Sequence, residues 1–295
     1  MPQIEIRRAR AEDREAVMAF CANTWEGGDY IHHVWDDWLN NPEGRLLVAT
    51  AGEQPVGLAH DNFLNQDEAW LEGLRVDPNF RQHGIGARLH QALLIEAMAH
   101  GSSIARLLTE SGNYSAIKIF EQSLMEQVGS FVPFRAQPLT SPSPRQGAVE
   151  APTPATLDDL DEIIDYLDQS NTFPLTGGLY YKGFTAYTIS DSLLKAKLEA
   201  GEVYVLRRWE RLDGIALLEE RQRHQGTKHL FIGYIDGTTE SISLIAYALR
   251  QEAAARGLTS VSANIPDLMM IRDAFIGAEY QTEGKIFVTY ERGLK

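Results

Sequence analysis

An α/β (α+β) architecture, with two tandem domains each built on a mixed, mostly antiparallel sheet flanked by helices, follows from three features of this 295-residue sequence. Short apolar runs alternate with period two while longer ones repeat every three to four residues, so strands and helices both occur. A proline-rich stretch divides the chain near its middle, and the order of elements before it returns after it. The length also exceeds what one ordinary domain of about 100–150 residues needs.

Taken in order, "IEIRRA" alternates as a short strand, and "AEDREAVMAFCANTW" places Ala16, Val17, Phe20 and Cys21 at near-helical spacing behind an acidic first turn. "VWDDWL" carries a second helical stripe. "RLLVAT" and "QPVGLAHDNFL" read as a hairpin around the turn "AGEQ", and "AWLEGLRV" as a third strand. From Ile85 the period changes: Ile85, Leu89, Leu93 and Ala97 share a helix face, and Gly101 stands where a helix C-cap belongs. The strand "IARLLTE", the helix "SAIKIFEQSL" and the strand "GSFVPFRA" complete the first half.

Residues 137–154 hold five prolines with Ser, Thr and Gly and no apolar period, the signature of a linker. Domains over 1–136 and 154–295, joined by a linker over 137–153, are therefore expected. In the second half "ATLDDLDEIIDYL" reads as a helix, and "VYVLRRWERLDGIALLEE" as a hairpin matching the first. "LFIGYID" matches "LEGLRVD", and a long helix ends at Gly257. One loop breaks the match. After Asp77 stands "PNFRQHGIG", whereas after Asp236 stands only "GTTES".

Composition narrows the functional classes. Hydrophobic residues make up 44% and charged ones 23%, as in a folded globular protein. A formal net charge of −14 argues against a nucleic-acid surface, because the field repels polyanions. The single cysteine, Cys21, excludes an internal disulfide and a cysteine-based metal cluster, and reads as a core residue. His32 and His33 lack a third ligand at readable spacing, so no metal is expected. No run approaches the roughly 18 apolar residues of a membrane span, and the expected location is the cytoplasm.

The loop carries the chemistry. A helix N-terminus leaves about four amides unpaired and holds roughly half a positive charge, which attracts phosphate oxygens. Gly84 and Gly86 remove side chains that would keep a pyrophosphate away, and Arg81 can add a charge-assisted bond. A plain turn is the alternative reading. The loop is neither a Walker sequence, since Ala87 and Arg88 follow Gly86, nor a dinucleotide fingerprint, since Leu89 occupies the third glycine position.

The stretch "LEGLRVDPNFRQHGIGARL" resembles the signature of the GCN5-related N-acetyltransferase (GNAT) superfamily. "IRRARAEDREAV" and "NYSAIKIFEQSL" are similar to further segments of that family, so the resemblance spans residues 4–135; the second half resembles a degenerate copy. It implies acetyl-CoA as acyl donor and a small-molecule amine as partner, with neither nucleic acid nor membrane, and a homodimer left open. The implied activity is direct attack of the amine on the thioester. A cofactor-binding sensor or scaffold without turnover is the competing expectation.

Residue by residue, the resemblance implies Glu72 as general base, with a surface carboxylate or a partner for Arg75 or Arg106 as the alternative. It implies the amides of Leu74, Arg75 and Val76 for the pantetheine arm, and those of Gln82, His83, Gly84, Ile85, Gly86 and Ala87, helped by Arg81, for the pyrophosphate. Strand alternation would put Glu72, Leu74 and Val76 on one side. Asn113 is expected either at the cofactor arm or as a helix cap. Where the family carries a tyrosine acid this chain has Phe120, which leaves Tyr114 as a substitute without positional support. The acceptor side is implied to lie along "WEGGDYIHHVWDDWL". There Asp36 and Asp37 would hold an ammonium and Trp25, Tyr30 and Trp35 would wall a pocket, unless the tryptophans are core and the aspartates solvated. The same segment is similar to the histidine N-acetyltransferase-like branch of the family, which implies a free amino acid among the acceptors.

Overall fold

The computed structural model describes residues 3–22, 24, 28–140, 151–222 and 227–295, and these fall into two compact units. The first comprises residues 1–127 and 290–295, the second 128–289.

In the first unit β1 (Ile4–Arg8) leads through a short 3-10 turn to α1 (Arg14–Cys21) and α2 (Ile31–Asn40). Then come β2 (Gly44–Ala51), β3 (Gln54–Phe63), β4 (Glu68–Val76), α3 (Ile85–His100), β5 (Ile104–Glu110) and α4 (Tyr114–Gln122). β1 through β4 are antiparallel neighbours, while β4 and β5 run parallel because α3 carries the chain back across the sheet. One face is covered by α1 and α2, where Val17, Cys21, Ile31 and Trp35 pack on Val48 and Leu58. The α3 stripe is buried as its period requires: Ile85, Leu89, Leu93 and Ala97 are each at most 2% exposed. Gly101, at φ 97°, ends the helix in the left-handed conformation.

The second unit contains most of β6 (Glu126–Ala136), β7 (Thr153–Pro154), α5 (Leu160–Gln169), the hairpin β8 (Leu179–Lys182) and β9 (Thr185–Thr188), and α6 (Asp191–Glu199). β10 (Val203–Arg208), β11 (Arg211–Gln222), β12 (Lys228–Gly237), α7 (Thr239–Ala255), β13 (Val261–Pro266) and α8 (Met269–Gly277) follow, then the start of β14 (Phe287–Gly293). Its strands run β6-β13-β12-β11-β10-β7, and in the first unit the order is β1-β2-β3-β4-β5-β14. Read from the outer strand inward, both describe one pattern, with β12 and β13 the parallel pair.

The helical entries agree too. Asp13 accepts the amide of Arg10 at 2.7 Å and is held by Arg7; Asp159 accepts the amide of Thr156 at 2.6 Å and is held by Arg207. Each carboxylate fixes the turn that starts the first helix of its unit.

The units are divided differently from the sequence halves. Residues 128–136 belong with the second unit, where β6 pairs with β13 from Phe131 to Ala136 and buries Val132 and Phe134. The first unit is completed by residues 290–295, with Glu291 on Arg106 at 2.6 Å and Arg292 on the Ser123 carbonyl at 2.9 Å. The linker's described ends are tied down rather than loose: Arg250 donates to the Gln137 carbonyl, and Thr153 and Pro154 pair with β10. Residues 141–150 lie outside the described set. Among the described residues no helix is long and apolar enough to cross a membrane.

Candidate active site

The site begins with an irregularity in β4. Leu58 faces Arg75 and His60 faces Glu72, so one more residue stands on β4 than on β3 between those pairs. This is a β-bulge, and Gly73 takes it up at φ 69°. Only glycine fits there, since a Cβ would come within 2.6 Å of the Trp38 indole. The bulge overturns the alternation expected for this strand. Glu72 and Arg75 share the face toward α2, whereas Leu74 and Val76 turn toward α3, where both approach Gly86. A bulge also breaks the hydrogen-bond ladder, which is how backbone amides become available to a ligand.

Glu72 is bonded to His60, Nδ1 to Oε1 at 3.0 Å, across the β3–β4 pair. With the carboxylate accepting, Nδ1 carries the hydrogen. His60 is 1% exposed in its side chain, stacked on Trp38 with ring centroids 4.4 Å apart and an interplanar angle of 7°. Its Nε2 has no hydrogen-bond partner among the described residues. Glu72 itself is 25% exposed and therefore reachable. Neither arginine once considered for it takes that place: Arg75 pairs with Asp29 at 2.7 Å, and Arg106 with Glu68 and Glu291. The Arg75 guanidinium also lies over Tyr30, 5.4 Å from the ring centroid.

Past β4 the chain turns on Asp77, whose carboxylate accepts the Asn79 amide at 2.8 Å. Gln82 at φ 64° and Gly84 at φ 75° then set the entry to α3. Arg81, Gln82, His83, Gly84 and Ala87 are exposed, while Ile85 buries its side chain in the core. The Arg81 Nε donates to the Val76 carbonyl at 3.2 Å, which holds its guanidinium beside the helix start. Nothing stands within 4 Å of a Cβ built on Gly84, so that side is open. Gly86 has a different reason: its Cβ would meet Ile119 of α4 at 3.2 Å, so it serves helix packing rather than ligand approach.

Among the described residues no side chain caps α3, which leaves its first-turn amides without a capping partner. In the second unit the matching end of α7 is closed. Thr238 accepts the Ser241 amide at 3.2 Å, Ser241 bonds Asp213, and Glu240 adds a negative charge in the first turn. An anion is drawn to the first helix end and repelled from the second.

Other expected residues are placed less favourably. Asn113 caps α4 through the Ala116 amide and bonds Thr109 at 3.1 Å. Tyr114 is 78% exposed at the start of that helix. Phe120 is buried, its ring 5.3 Å from His90 and 5.9 Å from Tyr290. Asp36 and Asp37 are solvated, Trp35 is fully buried core, Tyr30 stands edge-on to Trp38, and Trp25 lies outside the described residues. Burial, reinforced by Asp29, pushes the Cys21 thiol up to about 12, which removes it as a nucleophile. Sequence reasoning missed His60 and Asp29. Only the strand register and the fold of the α1–α2 connection bring them to Glu72 and Arg75.

Comparison with known proteins gives matches to part of the sequence and to the fold. Residues 10–124 match the Acetyltransferase (GNAT) family. A human protein, "Probable N-acetyltransferase 16", is 28% identical over 102 residues, which cover 34% of this chain and 28% of that protein. The match thus spans little more than a quarter of the curated relative. A GCN5-related N-acetyltransferase structure from Sphaerobacter thermophilus superposes with a TM-score of 0.60 at 16% identity, covering 99% of this chain and 96% of that one. A tandem GNAT protein from the clavulanic acid biosynthesis pathway does so at 0.54 and 14%, covering 99% of each chain. Residues 10–124, which hold the bulged strand, the open helix end and the loop between them, are the part of the chain that matches the GNAT acetyltransferase family.

Proposed function

We propose that the chain transfers the acetyl group of acetyl-CoA to a primary amine of a small molecule or amino acid, by direct attack of the amine on the thioester. The observation that carries this reading is the continuity of one segment: Glu72 held by His60, the Gly73 bulge and the uncapped end of α3 follow one another within residues 72–87. When bound, the thioester supplies an activated acyl carbon.

The chain's own residues do the rest. Amides of Gln82 to Ala87, with Arg81, take the pyrophosphate. The amides of Leu74 to Val76 face the pantetheine arm and donate to the carbonyl oxygen as it gains charge. Glu72 takes the ammonium proton, directly or through one water, with one oxygen fixed by His60 and the other free. Arg75 is neutralised by Asp29, so it does not compete for the diphosphate. Among the described residues no buried acid is placed for the departing sulfur: Phe120 has no proton to give, Asn113 is occupied as a cap, and Tyr114, the substitute, stands exposed at the start of α4. A thiolate whose conjugate acid has a pKa near 8.5 departs tolerably without help. That same absence favours, as a second reading, a protein that binds acetyl-CoA without turnover.

Thiol release from acetyl-CoA over a panel of amines and amino acids separates the two. Amine-dependent release is expected; tight acetyl-CoA binding with no release from any amine decides for the sensor. The cradle is tested separately by calorimetry. Arg81→Ala combined with Gly84→Val raises the acetyl-CoA Kd at least about tenfold, the loss of one charge-assisted bond and of close backbone approach. Thr238→Ala in the second unit leaves it unchanged, and equal affinities for wild type and the double variant would refute the cradle.

A further inference from the structure

The second unit, whose α7 end is closed to phosphate, carries a cleft of its own. It is an open cleft of about 560 Å³ on one face of the sheet, beside the turn that joins β8 to β9. Its lining includes Arg135 from β6, Arg221 from β11, His229 and Phe231 from β12, Asn264 from β13, and Phe184 from the turn. The register explains the grouping. Phe231 lies opposite Ser262, Ser262 opposite Arg135, Asn264 opposite Pro133, and Arg221 opposite His229, so these side chains rise from the same face. By the match of "LFIGYID" to "LEGLRVD", Phe231 occupies the place of Glu72. The base is gone, and the Arg221 guanidinium lies over its position.

Arg221 is held in place without an acid. Its guanidinium carbon lies 5.4 Å from the Phe231 ring centroid. On the other side it lies against Gly183, where a Cβ would come within 2.5 Å of Nη1 and whose φ of 65° suits glycine in the turn. Gly183 is itself pinned, its carbonyl accepting from the buried Asn264 Nδ2 at 2.5 Å. Among the described residues neither Arg221 nor Arg135 has a carboxylate partner. The nearest acid in the row, Glu219, is paired with Lys182 at 3.2 Å. Two arginines without a carboxylate partner among the described residues line one cleft, from β6 on one side and β11 on the other, and in a chain of net charge −14 they mark a place where negative charge is missing. Phe184, 55% exposed and braced edge-on by Phe287 at 5.0 Å, puts an apolar wall beside them.

We propose that this cleft is a binding site for a small organic anion, a carboxylate or phosphate monoester on a flat apolar body. The charged end is gripped by Arg221 and Arg135, and the apolar part lies between Phe184 and Phe231. Planar guanidiniums bind either anion in a fork, and aromatic walls favour a flat substituent. The lining belongs wholly to the second unit, so the site stands or falls independently of the acetyl-transfer reading.

Calorimetric titration of the full-length protein with benzoate, phenyl phosphate and benzyl alcohol tests it. At least one of the two anions binds and the alcohol does not, and which anion binds more tightly identifies the headgroup. Arg221→Met and Arg135→Ala each weaken the preferred anion at least about tenfold, Phe184→Ala weakens it too, and Arg81→Ala does not. Arg135 is exposed, so its variant keeps the fold even if that of Arg221 does not. Failure of both anions to bind the wild type at millimolar concentration overturns the site, as does undiminished binding by folded Arg135→Ala.

Discussion

Glu72→Gln lowers amine-dependent thiol release by about 10²- to 10⁴-fold, the usual worth of a general base, with acetyl-CoA affinity unchanged. The substitution is chosen to isolate proton transfer. Gln keeps an oxygen that accepts from His60 Nδ1, so the 3.0 Å bond, the stacking on Trp38 and the packing of the bulge all survive. What disappears is the ability to take a proton. His60→Ala provides the complementary measurement. His60 touches no reacting atom; it fixes one Glu72 oxygen, so its removal lowers kcat by less than loss of the carboxylate and leaves the acetyl-CoA Kd in place. A Glu72→Gln rate within twofold of wild type would end the assignment of Glu72 as base.

The parts of this site legible in the sequence were those with a period or a spacing. The α3 stripe, the Gly84 turn and the missing loop after Asp236 all appear in one dimension, because helical burial and backbone conformation act locally. What required the fold was relational. His60 and Glu72 are twelve residues apart and meet only through the β3–β4 register, which the bulge at Gly73 shifts by one. A single glycine in a strand does not announce a bulge. The exchange of closing strands was equally hidden: "GSFVPFRA" and "KIFVTYERG" are both apolar strands of similar length, and nothing local says which unit each completes. The arginine cleft was invisible for the same reason, since Arg135, Arg221 and Asn264 come from strands distant in sequence.

Relative to Asp61→Asn, the wild type loses stability as pH rises from about 4 to about 8; buried His90, whose pKa is lowered to about 4, contributes an opposite slope below about 6.5 to both proteins alike. Asp61 lies on β3 beside His60 but on the opposite face; it is fully buried, and neither carboxylate oxygen has a hydrogen-bond partner among the described residues. Its cross-strand neighbour Arg45 is engaged elsewhere, donating to the carbonyls of Pro42 and Gly44 and pairing with Glu96. Burial, with the nearby charge of Glu96, pushes the Asp61 carboxyl up to about 8; Arg45 opposes this and Glu72 adds to it. The unfolded chain titrates the same group near 3.9. Below that value both states hold the proton and the group is neutral to folding. Between the two values the folded state binds more proton than the unfolded, so each rise in pH disfavours folding, and the loss levels off once the folded carboxyl ionises above about 8. At roughly 1.4 kcal/mol per unit, the loss at its plateau amounts to several kcal/mol. Asn keeps the shape and never ionises. Urea unfolding at pH 5, 6.5 and 8.5 therefore shows wild type and Asp61→Asn converging at the lowest pH and diverging by several kcal/mol at the highest. Parallel profiles would mean that Asp61 is ionised and solvated at neutral pH. In that case the β3 position opposite Arg45 is open to water, and the face of the sheet beneath α3 is not the dry core described above.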